Sequence, residues 1–477
     1  MRLSFDRLWV VIALVLPALL SLLVPMPAVD LAYQLRAGDE LLATGVLPEA
    51  DSWTYTIAGT PWVDQQWLVQ VVLALGYRVG GWELLAVARA GLVVMAFGLL
   101  LAACIERGAS TRTAAVLSLV AFLLSAPALA LRPQLFGIVI FAALLWLVAV
   151  RTRRPRAYWL APLLVMAWAN VHGSFVLAPL VLAYAWVDDI AAGRPARTSL
   201  VVLVVGSLAT LVNPFGTGVW AYAFDLGLNP VIRETVSEWQ RTSPLTVPGA
   251  LFYASVVACV ALCAWRWRRD RDSVRWTDVA WLAGWAAIGF SAERGLAWWP
   301  LAAAFGVAAW LMPIPAPAGG HVQPPRLAPR PNSLNAVVAL VLGTLIVIAL
   351  PWWRPPDPLT GRDGLLSYAP SGLAQALRTI VKPGDRMFTQ QIWASWFEWS
   401  SPQALSFLDS RFELFPAEVF AAYGTIARGD AASLAELEQR GTRVVIADPE
   451  GALGTRLAGA GWTVAAQVDE GAILVAP

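Results

Sequence analysis

The sequence predicts a polytopic α-helical membrane protein that ends in a small α/β domain. Three observations predict it. The 477 residues are 58% hydrophobic and only 14% charged, with a mean hydropathy of +0.62, which is too apolar for an ordinary soluble chain. The arginines sort into alternate turns between apolar runs. After about residue 354 the apolar density falls, and short strand and helix patterns replace the long runs.

Runs of about 17 to 25 apolar residues mark membrane crossings. They occur near 8–26, 82–105, 112–131, 134–150, 157–171, 174–190, 198–213, 248–266, 276–292, 296–312 and 334–353, so about eleven crossings are expected. The first follows Arg2 and Arg7 and lacks a small-x-small cleavage site, so it reads as a retained span. With the N-terminus inside, seventeen arginines face inward in the membrane half and six outward. The inward ones include Arg151, Arg153, Arg154 and Arg156 in one turn and Arg266, Arg268, Arg269, Arg271 and Arg275 in another. The chain is therefore expected in the cell membrane with a cytoplasmic N-terminus. Arg89 is the main charge inside a span, where it either snorkels toward Glu83 or joins an ion pair in the bundle.

Residues 1–312 form the expected transmembrane domain, with an outer loop over 27–81. Residues 313–333 are a Pro-rich inner linker, and 334–353 are one further crossing. The tail, 354–477, is then extracytoplasmic. Within it DRMFT, LSFLD, RVVIAD, TVAAQV and AILVA read as strands. GLAQALRTIV, PAEVFAAYGTIA, AASLAELEQRG and ALGTRLAGAG read as helices. Cys104, Cys259 and Cys263 all fall inside apolar spans and indicate no disulfide framework. Nothing in the charge pattern points to nucleic acid.

The most informative stretch is Asp30 to Gly81, a long, acid-rich connection between apolar spans. Asp30 stands at the outer end of the first span, followed by an amphipathic helix that Gly45 and Pro48 stop. A carboxylate there, roofed by interfacial helices, can meet a substrate whose tail lies in the bilayer. Three other outer points carry chemistry. Arg132, in Leu131-Arg132-Pro133, and Arg294 sit at tight turns, where an arginine takes an ion-pair partner or an anionic ligand. His172, in Asn170-Val171-His172-Gly173, is the only histidine outside the linker. It serves as a packing residue or a functional imidazole, and its isolation argues against zinc. Glu238 and Trp239 either stack on a sugar or belong to an aromatic belt.

The order Asp30, Tyr33, Arg36, Gly45, Pro48, Gly59-Thr60-Pro61, Trp67-Leu68 and Gly80-Gly81 resembles the first periplasmic loop of the GT-C glycosyltransferases. The protein mannosyltransferase and aminoarabinose transferase branch is the most similar. That branch has an Asp-Glu pair after its first span and a Gly-x-Pro segment before Lys-Pro-Pro-Leu; here Leu31 and Val63-Asp64-Gln65-Gln66 stand at those places. Bacterial polytopic membrane proteins of unassigned function are also similar, sharing Trp-Val-Asp, Leu-Arg-Pro, Asn-x-His-Gly, Asn-Pro-Phe-Gly and Ser-Glu-Trp segments. The resemblance implies a GT-C-like fold and an inverting transfer of a sugar from a polyprenyl-phosphate donor to a glycan or lipid acceptor at the outer face. It implies Asp30 as the catalytic base, with Asp51 or Asp64 as helper. Arg132, His172, Arg294, Glu238 and Trp239 would then bind phosphate and substrate. A divalent cation held by Asp30 and Asp51, Asp64 or Glu238 fits the same carboxylates; no other cofactor is implied. The competing reading is a non-catalytic transporter or scaffold for envelope lipid and polysaccharide. No Walker loop, dinucleotide Gly pattern or nucleophile elbow is present, which disfavours an ATP-driven pump.

Overall fold

The computed structural model describes residues 3–312, 332–354 and 364–477. Most of the Pro-rich linker, 313–331, lies outside the described residues. The chain divides into two compact units. The first comprises Met1–Val24, Ala86–Ala223 and Ser237–Trp353; the second comprises Pro25–Leu85, Phe224–Val236 and Arg354–Pro477.

The main helices, in chain order, begin with α1 (Phe5–Leu23), α2 (Ala28–Thr44), α3 (Trp67–Glu106), α4 (Thr111–Ser125) and α5 (Pro133–Val150). They continue with α6 (Ala161–Ala169), α7 (Ala178–Ala191), α8 (Arg197–Ala209) and α9 (Val247–Arg269), then α10 (Trp276–Ser291), α11 (Trp299–Ala308) and α12 (Ser333–Ala349). Local signals set their ends. Ser110 accepts the Thr113 amide at 3.2 Å to open α4, and Pro133 supplies the preset φ of the first turn of α5. Gly81, with φ of 62°, breaks α3 where a side chain would be strained.

Six helical segments among the described residues are long and apolar enough to cross a membrane: Phe5–Leu23, Trp67–Glu106, Thr111–Ala128, Pro133–Val150, Gly173–Ala191 and Val247–Arg269. The other expected crossings are shorter. Arg197–Ala209, Trp299–Leu311 and Ser333–Ala349 are apolar helices of 10 to 17 residues. The run expected over 157–171 is cut into Pro155–Tyr158 and the nine residues of α6, which rise only about 14 Å. Polar turns end these helices early. Asn170, for example, donates to the carbonyls of Met166 and Val212 at 2.9 Å each. Of the eleven expected crossings, length and hydropathy therefore support six.

In the helical unit Arg89 reaches the end of α1. It is buried, and its guanidinium donates to the carbonyls of Ser21 and Val24, acceptors that the end of α1 leaves without helical partners. Phe141, Trp168, Trp285 and Trp298 form an aromatic core, with ring centroids 4.9 Å apart for Phe141 and Trp285 and 5.7 Å for Trp168 and Trp298.

The second unit carries β1 (Met26–Pro27), paired in parallel with β2 (Leu366–Ser367), and a five-stranded sheet. The sheet strands are β3 (Arg386–Phe388), β4 (Leu405–Ser406), β5 (Val444–Ala447), β6 (Thr463–Val468) and β7 (Gly471–Val475), in the order β4-β3-β5-β7-β6. β3 runs parallel to β4 and β5, whereas β7 is antiparallel to β5 and β6. All five form where the sequence reads as strand. A helix at Gln391–Ser400, absent from the sequence reading, packs on α2. Its sequence, QIWASWFEWS, places Ile392, Trp393, Trp396 and Phe397 at helical spacing, a period the sequence reading passed over.

Residues of the first loop share this unit's core. Ile57 joins Phe388, Phe407 and Val445, and Thr56 Oγ1 donates to the Phe407 carbonyl at 2.6 Å. Gly38 lets α2 approach α3 closely, since a Cβ there would lie 2.2 Å from the Gln70 carbonyl oxygen.

Candidate functional site

Three turns of the helical unit each place one polar side chain at a helix boundary. Pro133 at the start of α5 restricts Arg132 to extended backbone, with φ of −135°, so the arginine stands just outside the helix. His172 is likewise extended, with φ of −162°, ahead of a 3₁₀ turn over Gly173–Leu177. Ala292 is extended before the 3₁₀ turn Glu293–Ala297 that carries Arg294. A fourth segment, Ser237–Trp239, is pinned to that turn by the Glu293 amide, which donates to the Gln240 carbonyl at 3.0 Å.

These segments bring Arg132, His172, Glu238, Trp239 and Arg294 together. Glu238 receives Arg132 at 3.3 Å and Arg294 at 4.0 Å. The Arg294 guanidinium lies over the Trp239 ring, 5.0 Å from its centroid, and donates to His172 Nε2 at 3.4 Å. Both arginines are partly open to solvent, at 31% and 29% side-chain exposure. Arg132, Glu238 and Arg294 line a cavity of about 120 Å³ with Ser125, Gln134 and Glu293.

His172 is buried at the back of this cluster. Arg294 is permanently protonated, so Nε2 must accept and the ring proton sits on Nδ1. There it is donated to Ser174 Oγ at 2.7 Å, while the Ser174 amide, 3.2 Å from the same nitrogen, competes less closely. Ser174 Oγ in turn receives Trp168 Nε1 at 3.1 Å, which ties the imidazole to the aromatic core. Burial first, then the Arg294 and Arg132 cations, hold the imidazole well below its usual range. It is neutral at physiological pH.

The acids of the first loop lie in the other unit. Asp30 is half-buried in the first turn of α2. Asp51 is buried and engaged on both oxygens: Oδ2 accepts from the Thr54 amide at 3.1 Å and its hydroxyl at 2.7 Å, and Oδ1 is paired with Arg411. Arg411 also binds Asp409 and lies between the rings of Trp53 and Trp62, at 4.4 and 4.5 Å from their centroids. Asp51 is thus a member of a buried ion-pair cluster with Arg411 and Asp409. Asp64 differs. It is buried with Oδ1 on Gln70 Nε2 at 2.6 Å, Oδ2 has no hydrogen-bond partner among the described residues, and burial raises its carboxyl to about 7. Among the described residues no three His, Cys, Asp or Glu side chains gather to hold a metal ion.

Ser125, Gln134 and Glu293 carried no sequence signal beyond proximity to a tight turn. The same holds for Arg411, whose partner Asp51 is 360 positions away. The Leu-Arg-Pro, Asn-Val-His-Gly, Ser-Glu-Trp and Glu-Arg segments announced themselves.

No protein-family model and no curated protein sequence matches the chain. Among solved structures it is similar to the oligosaccharyltransferase of Archaeoglobus fulgidus. The structure tethered through a disulfide to an acceptor peptide containing the NVT sequon is 12% identical, with a TM-score of 0.54. The apo structure is 11% identical, with a TM-score of 0.50; each comparison covers 94% of this chain and 70% of the other. At such identity the likeness is one of fold alone.

Proposed function

We propose that the protein is a GT-C-type glycosyltransferase that moves a sugar from a polyprenyl-phosphate donor to a glycan or lipid acceptor at the outer face of the cell membrane. The observation that carries the reading is the pair Arg132 and Arg294 converging on Glu238 beside a neutral His172. When the bond between the sugar's anomeric carbon and the phosphate oxygen breaks, the electron pair and the negative charge go to the phosphate. Two partly exposed guanidiniums are suited to receive that charge, one with its plane braced on Trp239. The acceptor hydroxyl loses its proton as it attacks, and Asp30 is assigned as the carboxylate that takes it. Asp64, near neutrality in its ionisation, is the second candidate. The sorting of arginines supports an inside N-terminus and hence an outer-face site. The oligosaccharyltransferase neighbour, seen with an acceptor peptide, supports an acceptor bound in the same general manner.

The test is transfer from a labelled polyprenyl-phosphate sugar by purified protein. Arg132→Ala or Arg294→Ala is expected to lower kcat/KM by about 10² to 10³, as loss of one charge-stabilising donor does. Asp30→Asn is expected to abolish transfer in a folded protein. Unchanged turnover in all three variants overturns the reading in favour of a scaffold or transporter.

A further inference from the structure

Helices α7 and α10 lead away from His172 and Arg294, and their far ends build a second site that the proposed transfer does not use. A cavity of about 460 Å³ there is lined by five arginines and five acids. Most of these charges neutralise one another. Arg151, Arg194 and Arg275 close onto Asp188, and Arg107 closes onto Asp278.

What remains among the described residues is an arginine with no carboxylate, an aspartate with no cation, and an acceptor oxygen of Asp278 that its pairing with Arg107 does not engage. Arg266 is 4% exposed and donates to Ser273 Oγ at 2.8 Å and to the Met312 carbonyl at 3.2 Å, with no carboxylate partner among the described residues. A buried guanidinium without an anion is costly. Asp278 is fully buried; Oδ1 accepts from Tyr184 at 2.7 Å and from Arg107, whereas Oδ2 has no hydrogen-bond partner among the described residues. Asp270, four residues beyond Arg266, forms no ion pair among the described residues either. The cavity thus asks for an anion and a hydrogen-bond-donating cation together, and its lining is formally neutral.

Beside it an apolar groove of about 440 Å³ runs between α7 and α10, lined by Leu180, Tyr184, Trp276, Trp281, Trp285 and Ile288. Along α10 it extends from Thr277 to Ile288, about 16 Å of helix. Groove and cavity share a wall. Tyr184 lines the groove and binds Asp278, and Thr277 lines it and donates to Asp188 at 2.9 Å.

We infer that this end of the helical unit binds one zwitterionic, amine-bearing phospholipid. Its phosphate pairs with Arg266, its primary ammonium donates to the carboxylates of Asp278 and Asp270, and an acyl chain lies in the aromatic groove. A primary ammonium is specified over a quaternary one because Asp278 Oδ2 lacks a hydrogen-bond donor, and a trimethylammonium has none to give. A glycerol headgroup leaves the carboxylates without a cation.

Native mass spectrometry of the full-length protein in detergent tests this with short-chain lipids carrying ethanolamine, choline or glycerol headgroups. One ethanolamine lipid is expected to bind about tenfold more tightly than either of the others, the weight of one charge-assisted hydrogen bond. Arg266→Gln is expected to weaken all three headgroups by a similar factor, and Asp278→Asn to erase the preference for ethanolamine over choline. Equal binding of the three headgroups by the wild-type protein overturns the proposal, whatever the variants do. So does undiminished binding by folded Arg266→Gln. The readout is binding, so its failure leaves the transfer reading untouched.

Discussion

Arg294 donates to Nε2 of His172 across 3.4 Å, although the two residues are 122 positions apart. A permanent cation against a buried imidazole keeps that ring neutral, and the pH dependence of the protein follows from it. The folded state resists protonating His172, whereas the unfolded chain takes the proton near pH 6.5. This contribution to stability is present above about pH 6.5 and declines as pH falls below it. His172→Gln is expected to flatten the slope of the thermal midpoint between about pH 7 and 5. An unaltered slope removes His172 as its source.

After burial, the Arg294 cation is the next cause that keeps the imidazole from titrating. Arg294→Gln leaves a hydrogen bond to Nε2 but withdraws the charge, so the His172 ionisation is expected to move upward toward its ordinary range. Burial still opposes the charge and keeps it below that range. Imidazole NMR shifts of labelled protein across pH 5 to 8 check the displacement.

Asp51 and Asp30 separate scaffold from chemistry. Asp51→Ala strips a fully buried Arg411 of one of its two carboxylates and is expected to cost about 3 to 5 kcal/mol in unfolding free energy. Transfer per folded molecule is expected to persist. Asp30→Asn is expected to show the opposite pattern, with the midpoint held and turnover lost. Denaturation curves and single-turnover transfer on the same preparations distinguish the two.

Two further buried acids make stability fall as pH rises. Asp64 is held near 7 by burial, so between about pH 4 and 7 the folded chain keeps a proton that the unfolded chain has released. Stability is greatest below that window and lost through it, by on the order of 4 kcal/mol in total. Asp64→Asn is expected to abolish this part of the slope, measured as the unfolding midpoint against pH. Glu398 acts in the same direction. Burial, and the Asp409 carboxylate beside it, push its carboxyl well above the usual range, so Glu398→Gln is expected to leave the midpoint at pH 5 unchanged and raise it at pH 8.

Properties that are local or additive along the chain were legible in the residues themselves. Hydropathy marked the helical half, sorted arginines marked its alternate turns, and the α/β tail showed its five sheet strands as short apolar runs between turn residues. Pro133 placed Arg132 at a helix boundary because the residue before proline is driven to extended backbone. Partnership was another matter. Charge pairs and hydrogen bonds act over a few ångströms, and which groups come that close depends on the fold rather than on spacing in the chain. Only the tertiary structure gathered Arg132, His172, Glu238, Trp239 and Arg294. It alone brought Asp51 to Arg411, 360 positions away, and placed the first loop in one compact unit with the C-terminal segment.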